Sequence, residues 1–182
     1  KVMPVGHFYT GWCLTPGLPV MTIVGLGYEK DKALGAIEYV ESSSTVVYLP
    51  NSSEELYKND VLEENKNILS FVSQKNQIDY DVHSPVELVF SLESMISTNK
   101  SEFKIVLFPF GPKIYYACSL IAAIPHPEAS VWYVSGEERD DNTSQDRKVV
   151  GWLGLSFSFI PFSFLLTLCI LQSILVIVLS RC

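Results

Sequence analysis

The sequence predicts an α/β protein, a parallel sheet covered by helices on both faces, followed by a C-terminal transmembrane helix. Three observations carry this. Five short, apolar, β-favouring runs alternate with amphipathic helical stretches between residues 20 and 134. Such alternation builds a parallel sheet with right-handed crossovers. Each run ends in a Gly-, Pro-, Ser- or His-containing junction, as strand-to-helix turns require. Finally, no charged residue lies between Val149 and Ser180.

Residues 1–19, punctuated by Gly6, Gly11, Pro16, Gly17 and Pro19, are expected to be irregular. Val20–Gly25 is the first predicted strand. It turns through Gly25-Leu26-Gly27-Tyr28 into a helix from Glu29 to Glu41, on which Ala33, Leu34, Ile37 and Val40 share a face. Thr45–Leu49 is the second strand, β-branched and aromatic. The helix after it is capped by Ser52 or Ser53, carries acids in its first turn and runs to about Val72. Ile78–Val82 is the third strand.

Ser84-Pro85 with Glu87 then starts a helix whose expected buried face is Val86, Val89, Phe90, Met95 and Ile96. Lys104–Phe110 is the most apolar strand and is expected in the sheet interior. Gly111-Pro112-Lys113 opens a helix over Ile114–Ile124, which Pro125-His126-Pro127 stops, and Ala129–Val134 is the fifth strand. The organisation is therefore an irregular segment 1–19, a Rossmann-like domain 20–138, a hydrophilic linker 139–148 and an apolar tail 149–182.

In the window Phe162–Ser180, 13 of 19 residues are Leu, Ile, Val or Phe. As a helix it would span roughly 28 Å, close to a hydrocarbon core. Arg147 and Lys148 flank its N-terminal side. The positive-inside tendency therefore predicts a single-pass membrane protein with the globular part in the cytoplasm. No signal peptide is expected, since no charged segment followed by an apolar core opens the chain.

Charge bounds the partners. Residues 1–148 hold 12 basic and 20 acidic residues. A domain of this balance, with no basic stripe, argues against duplex nucleic acid. A small anion remains compatible, because one helix terminus and one Lys can hold it. The four cysteines show no paired spacing, which fits a reducing compartment, and His7, His83 and His126 have no ligand-spaced partners. No metal site and no cofactor are expected.

In open parallel sheets, ligands bind beyond the carboxyl ends of the strands. The candidate ligand-binding residues there are Gly25, Gly27, Tyr28, Asn51, Ser52, Gly111 and Lys113. Gly25-Leu26-Gly27 begins a dinucleotide fingerprint, but Lys30 stands at the third glycine position. Gly111-Pro112-Lys113 is the better anion site, combining close backbone approach, a helix start and a cation. Asp81, His83 and Ser84 contain the residue types of a catalytic triad, yet neighbours in sequence seldom form one, and no nucleophile elbow is present. No catalytic residue is assigned.

The run KIVLFPFGPKIYYACSLIAAIPHPEASVWYV resembles the CARF-like Rossmann domains of prokaryotic defence and regulatory proteins through Pro109, Gly111, Lys113, His126, Pro127, Glu128, Val131 and Tyr133. The stretch GLGYEKDKALGAIEYVESSSTVVYLPN resembles the first βαβ unit of that family through Gly27, Glu29, Ala33 and Glu38. The resemblance covers roughly residues 20–138. It implies a homodimeric sensor that binds a nucleotide second messenger across the strand ends and controls an attached effector. The family pattern continues beyond the fifth strand with more domain, whereas this chain runs into its apolar tail. Alternatives are a membrane-anchored transferase or hydrolase acting on a nucleotide-like substrate, or a truncated, inactive fragment.

Overall fold

The computed structural model describes residues 1–28, 31–51, 55–134, 149–159 and 171–180. The chain divides into two compact units, Lys1–Arg139 and Asp140–Cys182. The first unit is built on a six-stranded sheet of β1 (Val2–Pro4), β2 (Val20–Gly25), β3 (Ser44–Asn51), β4 (Gln77–Asp81), β5 (Lys104–Pro109) and β6 (Ser130–Val134). Its spatial order is β1-β6-β5-β2-β3-β4. The five strands from β2 to β6 are parallel, and β1 joins the β6 edge antiparallel. The unit is thus α/β and Rossmann-like, and β5 lies in the sheet interior.

Both faces of the sheet are covered. On one, Val24, Val47, Val106 and Trp132 share a core with Ala33, Ala36 and Ile37 of α2 (Lys32–Tyr39). Val61 of α3 (Glu55–Glu64) and Ile68 of α4 (Lys66–Phe71) complete that layer. On the other lie α5 (Pro85–Asn99) and α6 (Lys113–Ala123). The two are joined where the Cys118 Sγ approaches the Pro85 carbonyl at 3.7 Å. Buried hydroxyls in the sheet are satisfied locally: Thr22 Oγ1 lies 2.9 Å from both Thr45 Oγ1 and Ser42 Oγ.

Three elements differ from expectation. Residues 1–19 supply the edge strand β1 and a short helix, α1 (Gly11–Leu14). Trp12 packs on Trp132 at 5.1 Å between centroids, and Lys104 Nζ sits 4.5 Å above the Trp12 ring. Gly11 permits this approach, since a Cβ there would stand 2.0 Å from the Glu128 carbonyl oxygen. A three-residue strand has no periodicity to read; only the partner strand creates it.

The predicted single helix up to Val72 is two helices. Asn65 separates them, donating its side-chain amide to the Val61 carbonyl four residues back and to a loop carbonyl elsewhere. Side-chain bonds of this kind compete with helix continuation. On α5 the buried row is Leu88, Leu92 and Ile96, four residues apart. Val86 and Phe90, expected inside, are 49% and 68% exposed. They sit two positions from that row, about 200° around the helix axis.

The second unit consists of β7 (Val149–Phe159) and β8 (Leu171–Ser180), paired antiparallel from Phe159↔Leu171 to Val149↔Ser180. The transmembrane helix predicted over 162–180 is not helical across 171–180, and its remainder lies outside the described residues. Ile174, Val176, Ile177 and Val178 are β-branched, and such side chains suit a pleated strand. Among the described residues, no helix is long and apolar enough to cross a membrane.

The junction of β2, β3, β4 and α6 is filled by three tyrosines. Tyr115 lies 5.7 Å from Tyr48 and 5.4 Å from Tyr80 between ring centroids. The Tyr115 ring occupies the space a side chain at Gly25 would need, its nearest atom 2.2 Å from a Cβ placed there. Gly25→Ala is expected to destabilise the protein by about 1–3 kcal/mol through overpacking of a ring that has nowhere to move. Urea unfolding of parent and variant checks this, and equal midpoints would show that the ring repacks freely.

Candidate functional site

The chain leaves β2 toward β3 and leaves β5 toward β6, on opposite sides, although β2 and β5 are hydrogen-bonded neighbours. This divergence is the topological switch point where α/β sheets hold ligands. Two loops meet there. Gly25 pairs with Pro109, and the Gly25 carbonyl accepts from the Phe110 N–H at 3.0 Å. Leu26 is fully buried and donates its N–H to the Tyr48 carbonyl at 3.0 Å. Gly27 is buried, and its carbonyl accepts from Asn65 Nδ2 at 2.7 Å. Tyr28 is 38% exposed.

From the other side, Gly111 lies where an added Cβ would be 3.0 Å from the Leu26 carbonyl oxygen, so the two loops touch. Lys113 is the exposed first residue of α6. The structure therefore brings Gly25, Gly27, Gly111 and Lys113 to one place. Asn51 closes the neighbouring strand β3, exposed and paired with Asp81. Ser52 lies outside the described residues.

The glycines owe their positions to packing. Gly25 makes room for the Tyr115 ring, and Gly111 for the Leu26 carbonyl and the Tyr80 hydroxyl, 3.3 Å from an added Cβ. Burial pushes the Tyr115 phenol well above its ordinary pKa, helped by Tyr48 and Tyr80. Burial also raises Tyr48, against the pull of its 2.9 Å hydrogen bond to the Ser91 hydroxyl. These phenols are neutral under physiological conditions and form an aromatic floor beneath the loops. Sequence inspection missed Tyr115 because a tyrosine in an apolar helix reads as core; the missing Cβ of Gly25, far earlier in the chain, is what marks it.

Helix α6 has neither a side-chain cap bond nor an acid in its first turn and opens with Lys113, as α2 opens with Lys32 and α4 with Lys66. A helix N-terminus carries partial positive charge, so Lys113 is placed where an anion is favoured and a cation is not. The Cys118 thiol further along α6 is pushed up to about 12 by burial and is held as a neutral core group.

Asp81, His83 and Ser84 form a turn. Asp81 Oδ1 accepts from the His83 N–H at 2.8 Å, and Oδ2 from the Ser84 hydroxyl at 3.4 Å. Ser84 occupies the N-cap position of α5 with Pro85 after it, but its hydroxyl makes no cap bond. Among the described residues, no group of three or more His, Cys, Asp or Glu side chains is placed to hold a metal.

A different histidine is engaged. His126, 5% exposed, has Nε2 at 3.0 Å from Glu93 Oε1 and 3.4 Å from the Ser97 hydroxyl, while Nδ1 lies 3.3 Å from Lys100 Nζ. An ammonium has no acceptor to offer, so Nδ1 accepts from Lys100 and the ring proton sits on Nε2, donated to Glu93. His126 is thus no base toward Ser97, whose hydroxyl donates to Glu93 at 2.7 Å. Lys100 also pairs with Glu128 at 2.8 Å. The cluster precedes β6, at the end of the sheet away from the switch point, and ties α5 to the α6–β6 turn.

Compared with known families and characterised proteins, the chain matches no family model and no curated protein. Its own geometry carries the functional argument.

Glu93 is held below its ordinary pKa by the Ser97 hydroxyl, against partial burial, with smaller help from His126 and Lys100. Burial is the largest single effect on Glu128 and raises it, but the Lys100 bond, a backbone N–H and nearby charge together leave it lowered. Depressed folded pKa values contribute stability above the ordinary value of 4.5, lost as pH falls through the folded values. Lys100→Met is therefore expected to melt below the parent at pH 6 and to converge with it toward pH 3. Thermal melts across that range decide it; a constant gap would show that Lys100 acts by packing alone.

Proposed function

We propose that residues 20–138 form a sensor domain for a small anionic ligand of nucleotide type, tethered to a membrane by the uncharged segment after Lys148. The observation that carries this reading is the place of α6, whose first residue is Lys113 and whose start lies beside the switch point of the sheet. Backbone N–H groups, helix dipole and an ammonium at one place are together suited to an anion. The ligand lies over Gly27, Tyr28, Gly111 and Lys113, with Asn51 at the end of the neighbouring strand. Gly25 contributes by admitting Tyr115 beneath it.

The resemblance to CARF-like domains supports a nucleotide second messenger, a homodimer and a place in a prokaryotic defence or signalling system. A sensor is favoured over an enzyme because His126, Glu93 and Glu128 are engaged with one another at the opposite end of the sheet. The tail reading rests on the absence of charge between Val149 and Ser180. It anchors the domain with the globular part in the cytoplasm.

Thermal melts of the detergent-solubilised chain against linear and cyclic nucleotides test the site. A ligand at a hundred times its dissociation constant adds roughly 2.7 kcal/mol. The expected outcome is a shift in the parent that Lys113→Ala abolishes. A folded parent that no nucleotide shifts sinks the anion site. Alkaline carbonate extraction of bacterial membranes tests the tether: the chain is expected in the pellet, and its release into the supernatant removes the membrane reading.

A further inference from the structure

The segment from β2 to α2 is gripped at both ends by one short piece of chain. Asn65 Nδ2 donates to the Gly27 carbonyl at 2.7 Å and Asn67 Nδ2 donates to Asp31 Oδ1 at 3.0 Å. Gly27 and Asp31 bracket the exposed Tyr28, and the two asparagines stand at the start of α4. Asn65 is 2% exposed, and its other amide hydrogen is used by the Val61 carbonyl at 2.8 Å. One planar amide thus joins a helix joint to a loop. Asp lacks the donors, Leu lacks any polar group, and Gln is one carbon too long to keep both bonds. Gly27 is itself buried, so loss of the donor leaves its carbonyl without that partner, which is costly in the interior.

We propose that Asn65 is the positioning residue of the switch-point loop and that it couples the ligand site to the α3–α4 joint, with Asn67 as the second, exposed tie. The ligand part of this rests on the function proposed above; the positioning part does not. The Gly27 carbonyl is one end of the Asn65 tie and the α3–α4 joint, through the Val61 carbonyl, is the other, so a ligand over the Gly27 loop touches the tie at one end. Ala33 of α2 and Ile68 of α4 share one core cluster, and close-packed interiors transmit displacement rigidly, so a shift of the joint is carried to α2 as well as through the two amides.

Hydrogen exchange of the full chain in detergent tests the positioning. In Asn65→Leu, peptides covering residues 26–32 are expected to lose protection on the order of tenfold, while β5 and α5 keep theirs. Unchanged loop protection in a folded variant, or loss spread evenly over the sheet, overturns the proposal. Asn65→Ala serves if the leucine variant does not fold. It has no side-chain donor at any pH, so protection of the same peptides should be lost; parent-like protection overturns the proposal.

Adenosine 5′-monophosphate titrated calorimetrically separates the two readings. Binding about tenfold weaker in Asn65→Leu than in the parent supports the coupling, and equal affinity with a loosened loop overturns it. A parent that binds no such nucleotide, with a loop that still loosens, confirms the positioning role and removes the nucleotide reading.

Discussion

Tyr115 lies across the end of β2 because Gly25 has no side chain to prevent it, and much of the first unit follows from that contact. The ring joins α6 to the point where β2 and β5 part, and it brings Tyr48 and Tyr80 into one aromatic cluster. That cluster seals the sheet from below, so the switch-point loops close over a dry floor rather than an open cleft. Gly111 obeys the same constraint from the other side, giving way to the Leu26 carbonyl. Two glycines that sequence patterns connect with phosphate approach are thus required by packing, whatever else they do.

Over this floor the charge is unevenly placed. Glu93, His126, Lys100 and Glu128 are bonded in turn near the start of β6. At the opposite end, Lys113 opens α6 beside the place where the loops after β2 and β5 meet. The clasp ties α5 to the α6–β6 turn, whereas Lys113 lies at the switch point, and that position separates the candidate site from the rest of the molecule.

Much of the fold was legible because its signals are local. The five strands appear within two residues of the predicted bounds, since β-branched runs and Gly or Pro at strand ends act over a few residues. The failures share a cause. The strand in residues 1–19 exists through its register with β6, and α5 presents Leu88, Leu92 and Ile96 inward although Val86 and Phe90 are as apolar. The break at Asn65 needs Gly27, 38 residues earlier. The tail carries an apolar run that length alone cannot assign, because β-branched residues serve a strand as well as a membrane helix.

By itself the sequence determined the α/β class, the five strands of residues 20–134, and the concentration of all acidic charge ahead of an apolar tail. Hydrophobic period and turn chemistry are properties of neighbouring residues, and they survive without a partner. Tertiary structure alone decided the strand order and its switch point, the use of Gly25 and Gly111 for packing, the retreat of His126 into a clasp with Glu93 and Lys100 and the hold of Asn65 on the loop. Each depends on atoms far apart in the chain, whose meeting no local pattern encodes.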